Sequence, residues 1–201
     1  WKGCDTHHDF RELIDRADID LISIAVPDHW HAIPAIYAAN AGKDIYAEKP
    51  LALTIPQGRA MSNAVKRNGV VWQTGSWQRS VANFRNACEL VRNERIGKLK
   101  KVYVGLPTGS ALDEPTTIDP VPEGFDYDFW LGPAPWAHYN KNRTHWNFRW
   151  ILDYSGGQLT DWAAHHVDIA TWGMGTEYTG PVEVTQAEGN FPRTGLWNAA
   201  T

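Results

Sequence analysis

The sequence predicts an α/β protein whose first third builds a parallel sheet, and three observations carry that expectation. Short apolar runs alternate with helical patterns up to residue 75, single helices separate successive runs, and polar groups collect where the runs end. Strands joined by single helices imply crossover connections and a parallel sheet covered on both faces. Ligands of such sheets bind outside the carboxyl ends of the strands.

In order, "DFRELIDRA" (9–17) reads as a short helix and "DLISIAV" (20–26) as a buried strand ended by Pro27. "HAIPAIYAANAG" (31–42) reads as a helix with Pro34 in its opening turn and Gly42 as its stop. "DIYAE" (44–48) is a second strand. Thr54 then caps a helix that begins at Pro56 and stops at Gly69, and "VVWQTG" (70–75) is the third strand. Two strand ends are rich in polar groups: "PDHWH" (27–31) and "EKP" (48–50). After Trp77 the pattern changes. Residues 81–95 look helical, "KLKKVYVGL" (98–106) looks like a strand, and an irregular proline-rich segment runs from 107 to 148. A helix is expected at 157–173 and a last strand in "PVEVTQAEG" (181–189). A segment as long as 107–148 inside a compact domain is usually functional. The expected boundary falls near residue 76, between two α/β pieces.

Composition excludes several classes. The chain has 201 residues, is 43% hydrophobic and contains 11 tryptophans, enough to bury a core in one large domain or two small ones. A net charge of −4 without a basic run gives no footprint for nucleic acid. The longest apolar runs, such as 21–27, are too short to cross a bilayer. Cys4 and Cys88 make neither a disulfide framework nor a CxxC zinc site. No signal peptide is visible, and cytoplasmic and periplasmic locations both stay open.

The helix "GGQLTDWAAHHVDIATWG" (156–173) holds two adjacent histidines between two aspartates. At about 100° per residue, Asp161, His165, Asp168 and Trp172 share one stripe. Leu159, Trp162, His166 and Ile169 share another, which is expected to pack. The two carboxylates can orient the His165 ring and raise its pKa, which suits general acid/base work. The same stripe also fits a solvated face stabilised by a few tenths of a kcal/mol per pair. Trp172 on the stripe, and Gly156 and Gly157 before it, favour the functional reading, because glycine lets a ligand or backbone come close. Lys49 can place a positive charge beside a substrate oxygen or a cofactor, or can be a surface lysine in a turn.

"DLISIAVPDHWHAIPAIYAANAGKDIYAEKPLAL" followed by "SGGQLTDWAAHHVDIATWG" resembles the glucose-fructose oxidoreductase/inositol dehydrogenase/MocA (Gfo/Idh/MocA) family over nearly the whole chain. The resemblance implies a Rossmann domain, here partial over 1–76, followed by a partial α/β substrate-binding domain with an open sheet over 77–201. It implies NAD or NADP as cofactor and a sugar, cyclitol or related polyol as substrate, with Lys49, Asp161 and His165 catalytic. Pro27, Asp28, His31, Glu48, Lys49 and Arg79 match cofactor-binding positions. Arg149, Trp150, Asp161 and His165 match substrate-binding ones. No metal is implied, nor any nucleic-acid or membrane partner, and homo-oligomerisation stays open.

The family's glycine-rich dinucleotide turn has no counterpart in these residues. The chain therefore reads as a piece of a longer protein, expected to be inactive by itself. The expected reaction moves a hydride from a carbinol carbon to nicotinamide, with Lys49 or His165 taking the hydroxyl proton. Tryptophans of 107–150 are expected to pack for the most part, a few to stack on a sugar ring. Three alternatives stand beside this: an NAD-dependent glycosidase acting by transient oxidation, a non-catalytic carbohydrate-binding module, and a metal-dependent hydrolase using His29, His31, His165 and Asp168.

Overall fold

The computed structural model describes residues 3–109 and 117–200. The chain divides into two compact units, 1–75 and 76–201.

The first unit contains α1 (Phe10–Ile14), β1 (Leu21–Ile24), α2 (Ala32–Asn40), β2 (Asp44–Glu48), α3 (Ile55–Asn68) and β3 (Trp72–Gly75). Its three strands are parallel and lie in chain order, β1-β2-β3. The register sets Ile22 beside Ile45 and Ile45 beside Trp72. Ile22, Ile24, Ile45 and Ala47 join Ala35, Ala38, Ala39, Met61 and Ala64 of the helices in one core. The alanines explain how α2 sits so close: with only a methyl to bury, Ala38 and Ala39 are fully covered. Local chemistry fixes the boundaries of α3. The Thr54 hydroxyl accepts from Gln57 N at 3.4 Å while Thr54 N donates to Gln57 Oε1 at 3.1 Å, a reciprocal capping box. Gly69 closes the helix at φ +65°, a left-handed value that glycine adopts without strain. Outside the helices, the Lys43 ammonium donates to the carbonyls of Arg16 and Ile19, tying the α1–β1 loop to the start of β2.

The second unit contains α4 (Ala82–Arg92), α5 (Tyr127–Leu131) and α6 (Gln158–Met174), with 3-10 turns at Trp77–Ser80, Lys141–Arg143 and His145–Trp150. The segment expected to be irregular thus contains a short helix and two turns. An aromatic cluster holds them: Tyr127, Tyr139, Phe148 and Tyr154 are buried with Leu131, Ile151 and Leu196. Edge-on ring pairs such as Trp130–Tyr154, with centroids 5.1 Å apart, supply the contacts.

Two expected strands, 98–106 and 181–189, are absent, and the described residues of this unit contain no strand. A β-like alternation becomes a strand only when another strand supplies its hydrogen bonds. Neither segment has a ladder partner here, and their side chains are open to solvent, Tyr103 at 81% and Val184 at 72% exposure. The expected open sheet is therefore not formed among these residues. Among the described residues no helix is long and apolar enough to cross a membrane.

Candidate functional site

Parallel strands deliver their carboxyl ends to one edge, and in the first unit that edge carries the polar groups. β1 leads through Val26 and Pro27 into the 3-10 turn Asp28–Trp30. The His31 ring closes this turn, its Nε2 lying 2.8 Å from Val26 O. Because that carbonyl can only accept, Nε2 donates to it. Nδ1 is buried with no hydrogen-bond partner among the described residues. Asp28 and His31 are both buried, at 6% and 1% exposure, so they line the turn from within. Pro27 and Lys49 are half-buried. Lys49 follows the last residue of β2 and forms a cis peptide bond with Pro50.

Glu48 pairs in register with Gly75 on β3. A methyl group built on Gly75 would sit 2.9 Å from the Glu48 carboxyl, so the carboxylate lies directly over the bare glycine and would have to shift to admit a side chain. A carboxylate at the strand ends beside a bare backbone is of the kind that accepts from hydroxyl groups.

In the second unit the site is built on α6. Gly157 stands before the helix at φ +68°, and a Cβ there would lie 2.8 Å from Ala199 Cβ. Gly156 N donates to Thr160 Oγ1 at 3.1 Å. Of the two expected uses, close approach of a backbone or of a ligand, Gly157 serves the first: residues 199 and 200 lie against it.

The stripe Asp161–His165–Asp168–Trp172 exists as the helical phase requires, but its charges are balanced from outside the helix. Asp161, 6% exposed, accepts from Arg149 Nε at 2.9 Å. The Arg149 guanidinium lies 4.2 Å from the Trp146 ring and 4.9 Å from the Phe148 ring, and Nη1 donates to Trp146 O. Arg79 grips Asp168 with two bonds of 2.7 Å, from Nε and Nη2, while its carbon centre lies 5.3 Å from the Trp172 ring. The hydrogen bond to Asp168 holds the Arg79 pKa above its ordinary value. Each carboxylate expected to act on His165 alone is matched by a guanidinium, so the stripe carries balanced charge.

His165 is half-buried and meets Trp77 edge to face, with ring centroids 5.9 Å apart and planes at 72°. His166 points elsewhere, its Nδ1 lying 3.1 Å from Trp162 O and its ring 5.8 Å from the Trp162 ring. The face assigned to packing is only half so. Leu159 and Trp162 are exposed at 71% and 40%, whereas Ile169 O accepts from the Cys88 thiol of α4. Trp150, matched to a substrate-binding position, is 6% exposed and packs toward Trp197, which makes it a core side chain. Arg79, matched to a cofactor-binding position, is occupied by Asp168.

Two features escaped the sequence. Trp77 beside His165 had no local signal. The pairings Arg79–Asp168 and Arg149–Asp161 join residues 89 and 12 apart in sequence, beyond any helical spacing rule. An arginine between aromatics in "WNFRW" was visible, but its partner was not. Among the described residues no group of three or more His, Cys, Asp or Glu can hold a metal ion.

Removing Arg149 should expose the strength of its pair. Arg149→Leu leaves Asp161 a nearly buried carboxylate without its guanidinium, which should cost about 3 kcal/mol. Adding Asp161→Asn should recover much of that loss. Denaturant melts of the two variants check it: equal instability in both would show that the pair is not what holds this turn to α6.

Both parts of the chain match models of one oxidoreductase family. Residues 1–76 match the oxidoreductase family's NAD-binding Rossmann fold, and residues 108–194 match its C-terminal alpha/beta domain. The chain belongs to the Gfo/Idh/MocA oxidoreductase family. It is 30% identical to levoglucosan dehydrogenase of Pseudarthrobacter phenanthrenivorans over 83% of this chain and 36% of the relative. It is 28% identical to the NAD+-dependent scyllo-inositol 2-dehydrogenase of Bacillus subtilis over 84% of this chain and 39% of the relative. Among solved structures, levoglucosan dehydrogenase in complex with NADH and levoglucosan superimposes with a TM-score of 0.55 at 27% identity, covering 82% of this chain and 37% of that one. The chain thus spans well under half the length of these relatives.

Proposed function

We propose that the full-length protein is an NAD(P)-dependent oxidoreductase that moves a hydride between a hydroxyl-bearing carbon of a sugar, cyclitol or related polyol and the nicotinamide. The observation that supports it most is the pair of arginine clamps that hold α6 so that His165 faces an open indole. A helix pinned at Asp161 and Asp168 presents an imidazole in a fixed direction, which general acid/base catalysis needs. The similarity to levoglucosan and scyllo-inositol dehydrogenases supports the substrate class.

Residues 1–76 carry the cofactor side, where NAD or NADP supplies hydride acceptance when bound. There the Glu48 carboxylate would accept from hydroxyls of the bound nucleotide, and Pro27, Asp28 and His31 would shape the turn beside it. Residues 77–201 carry the substrate side. Two side chains can take the hydroxyl proton: Lys49 after β2, and His165 on α6. Asp161, with Arg149 against it, accepts from a substrate hydroxyl or orients the imidazole. Arg79 works at one remove, through Asp168.

Product analysis tests this reading. The full-length protein, given NAD+ or NADP+ and a panel of cyclitols and anhydrosugars, should form one equivalent of reduced nicotinamide per equivalent of ketone. Release of a free sugar from a glycoside without net reduced nicotinamide would replace the dehydrogenase with transient oxidation.

A further inference from the structure

We propose that Trp77 is the stacking platform for the ring of the substrate, an inference that rests on reading α6 as the substrate side. Tryptophan is among the side chains most covered on average, yet the Trp77 indole is 53% exposed. Its backbone, in contrast, is fixed. Trp77 opens the 3-10 turn Trp77–Ser80, in which Arg79 N donates to Ser76 O at 3.0 Å and Val81 N to Gln78 O at 3.1 Å. The next side chain, Gln78, is buried, and the one after it is the Arg79 that grips Asp168. The turn is therefore fastened on both sides of its chain while its tryptophan stays half exposed. A rigid exposed indole loses little freedom when something settles on it, the condition for a preorganised contact.

Its neighbour says what settles there. The Trp77 and His165 rings stand at 72° with centroids 5.9 Å apart, so an apolar wall and a hydrogen-bonding wall meet in a corner. A polyol ring has the complementary shape: faces of C–H bonds and an edge of hydroxyls. Laid on the indole, it turns that edge toward the imidazole. A flat aromatic ligand would gain the stacking but leave the imidazole without a hydroxyl partner.

Two tryptophans of 107–150 are less suited. Trp146 already carries the Arg149 guanidinium at 4.2 Å on its ring, and Trp150 is buried. Trp77 is thus a substrate-contacting residue that selects rings with a continuous C–H face, such as a cyclitol with equatorial hydroxyls.

The test is titration calorimetry of scyllo-inositol and of levoglucosan into the NADH-loaded full-length protein, with wild type, Trp77→Ala and Trp77→Phe compared. At least one ring should bind wild type. Trp77→Ala should weaken that binding about tenfold and Trp77→Phe by no more than about threefold. NADH affinity and the melting temperature should stay at wild-type values in both variants, as expected for a half-exposed side chain. Equal sugar affinity in wild type and Trp77→Ala would overturn the proposal, as would binding of neither ring, or loss of NADH affinity in step with the sugar. The dehydrogenase reading fails separately: Trp77-dependent binding with no reduced nicotinamide formed from NAD+ keeps the platform and removes the reaction.

Discussion

His165→Ala in the full-length protein should lower turnover by at least about a hundredfold while leaving the fold intact. The imidazole is half-buried and meets a half-exposed indole edge-on. Little packed volume is lost with it, so the melting temperature should stay close to that of wild type. His166→Ala is the matched control. On sequence grounds it was expected to destabilise through lost packing. The structure lowers that expectation, because Leu159 and Trp162 on the same face are exposed and the ring lies against Trp162. His166→Ala should therefore keep turnover within about threefold, with a small loss of stability. Kinetics and thermal melts run side by side decide the matter. A stable His166→Ala that lost catalysis beside an active His165→Ala would reverse the assignment.

The second large effect belongs to Lys49. Lys49→Ala should cost on the order of a hundredfold or more in turnover, and Lys49→Arg is the more instructive variant. Arginine keeps the positive charge but cannot release its proton at any relevant pH. If Lys49 accepts the hydroxyl proton, Lys49→Arg should be nearly as slow as Lys49→Ala. If Lys49 supplies charge alone, Lys49→Arg should recover most of the loss and the proton falls to His165. Both substitutions lie after the end of β2 and outside the core of the first unit, so folding should be unaffected. Steady-state kcat for the three proteins gives the answer. Unchanged kinetics in Lys49→Ala would take the residue out of the reaction.

What was legible in the sequence was local. Thr54 and Gly69 marked both ends of α3 because a capping hydroxyl and a left-handed glycine act over a few residues. Residues 44–48 are the second strand as read, and α6 is displaced by one residue at each end from 157–173. The phase of α6 also followed from periodicity, which is why His165 and His166 were separable before any coordinates. The illegible parts were those that depend on distant partners. The alternation in 98–106 and 181–189 does not record whether another strand lies alongside. Asp168 beside His165 looked like an orienting carboxylate because Arg79, 89 residues away, is invisible to a helical wheel. Trp77 was passed over for the same reason, since its chemistry comes from a ring on another element.

The central claim is that a hydride leaves a carbinol carbon of a ring polyol and arrives on the nicotinamide. Its most direct test is isotope transfer with the full-length protein, NAD+ and scyllo-inositol or levoglucosan deuterated at every carbinol carbon. Mass analysis of the reduced nicotinamide should show one deuterium drawn from the substrate, together with a ketone product. Reduced nicotinamide without substrate deuterium, or a substrate consumed while NAD+ is returned unlabelled and unreduced, would contradict it.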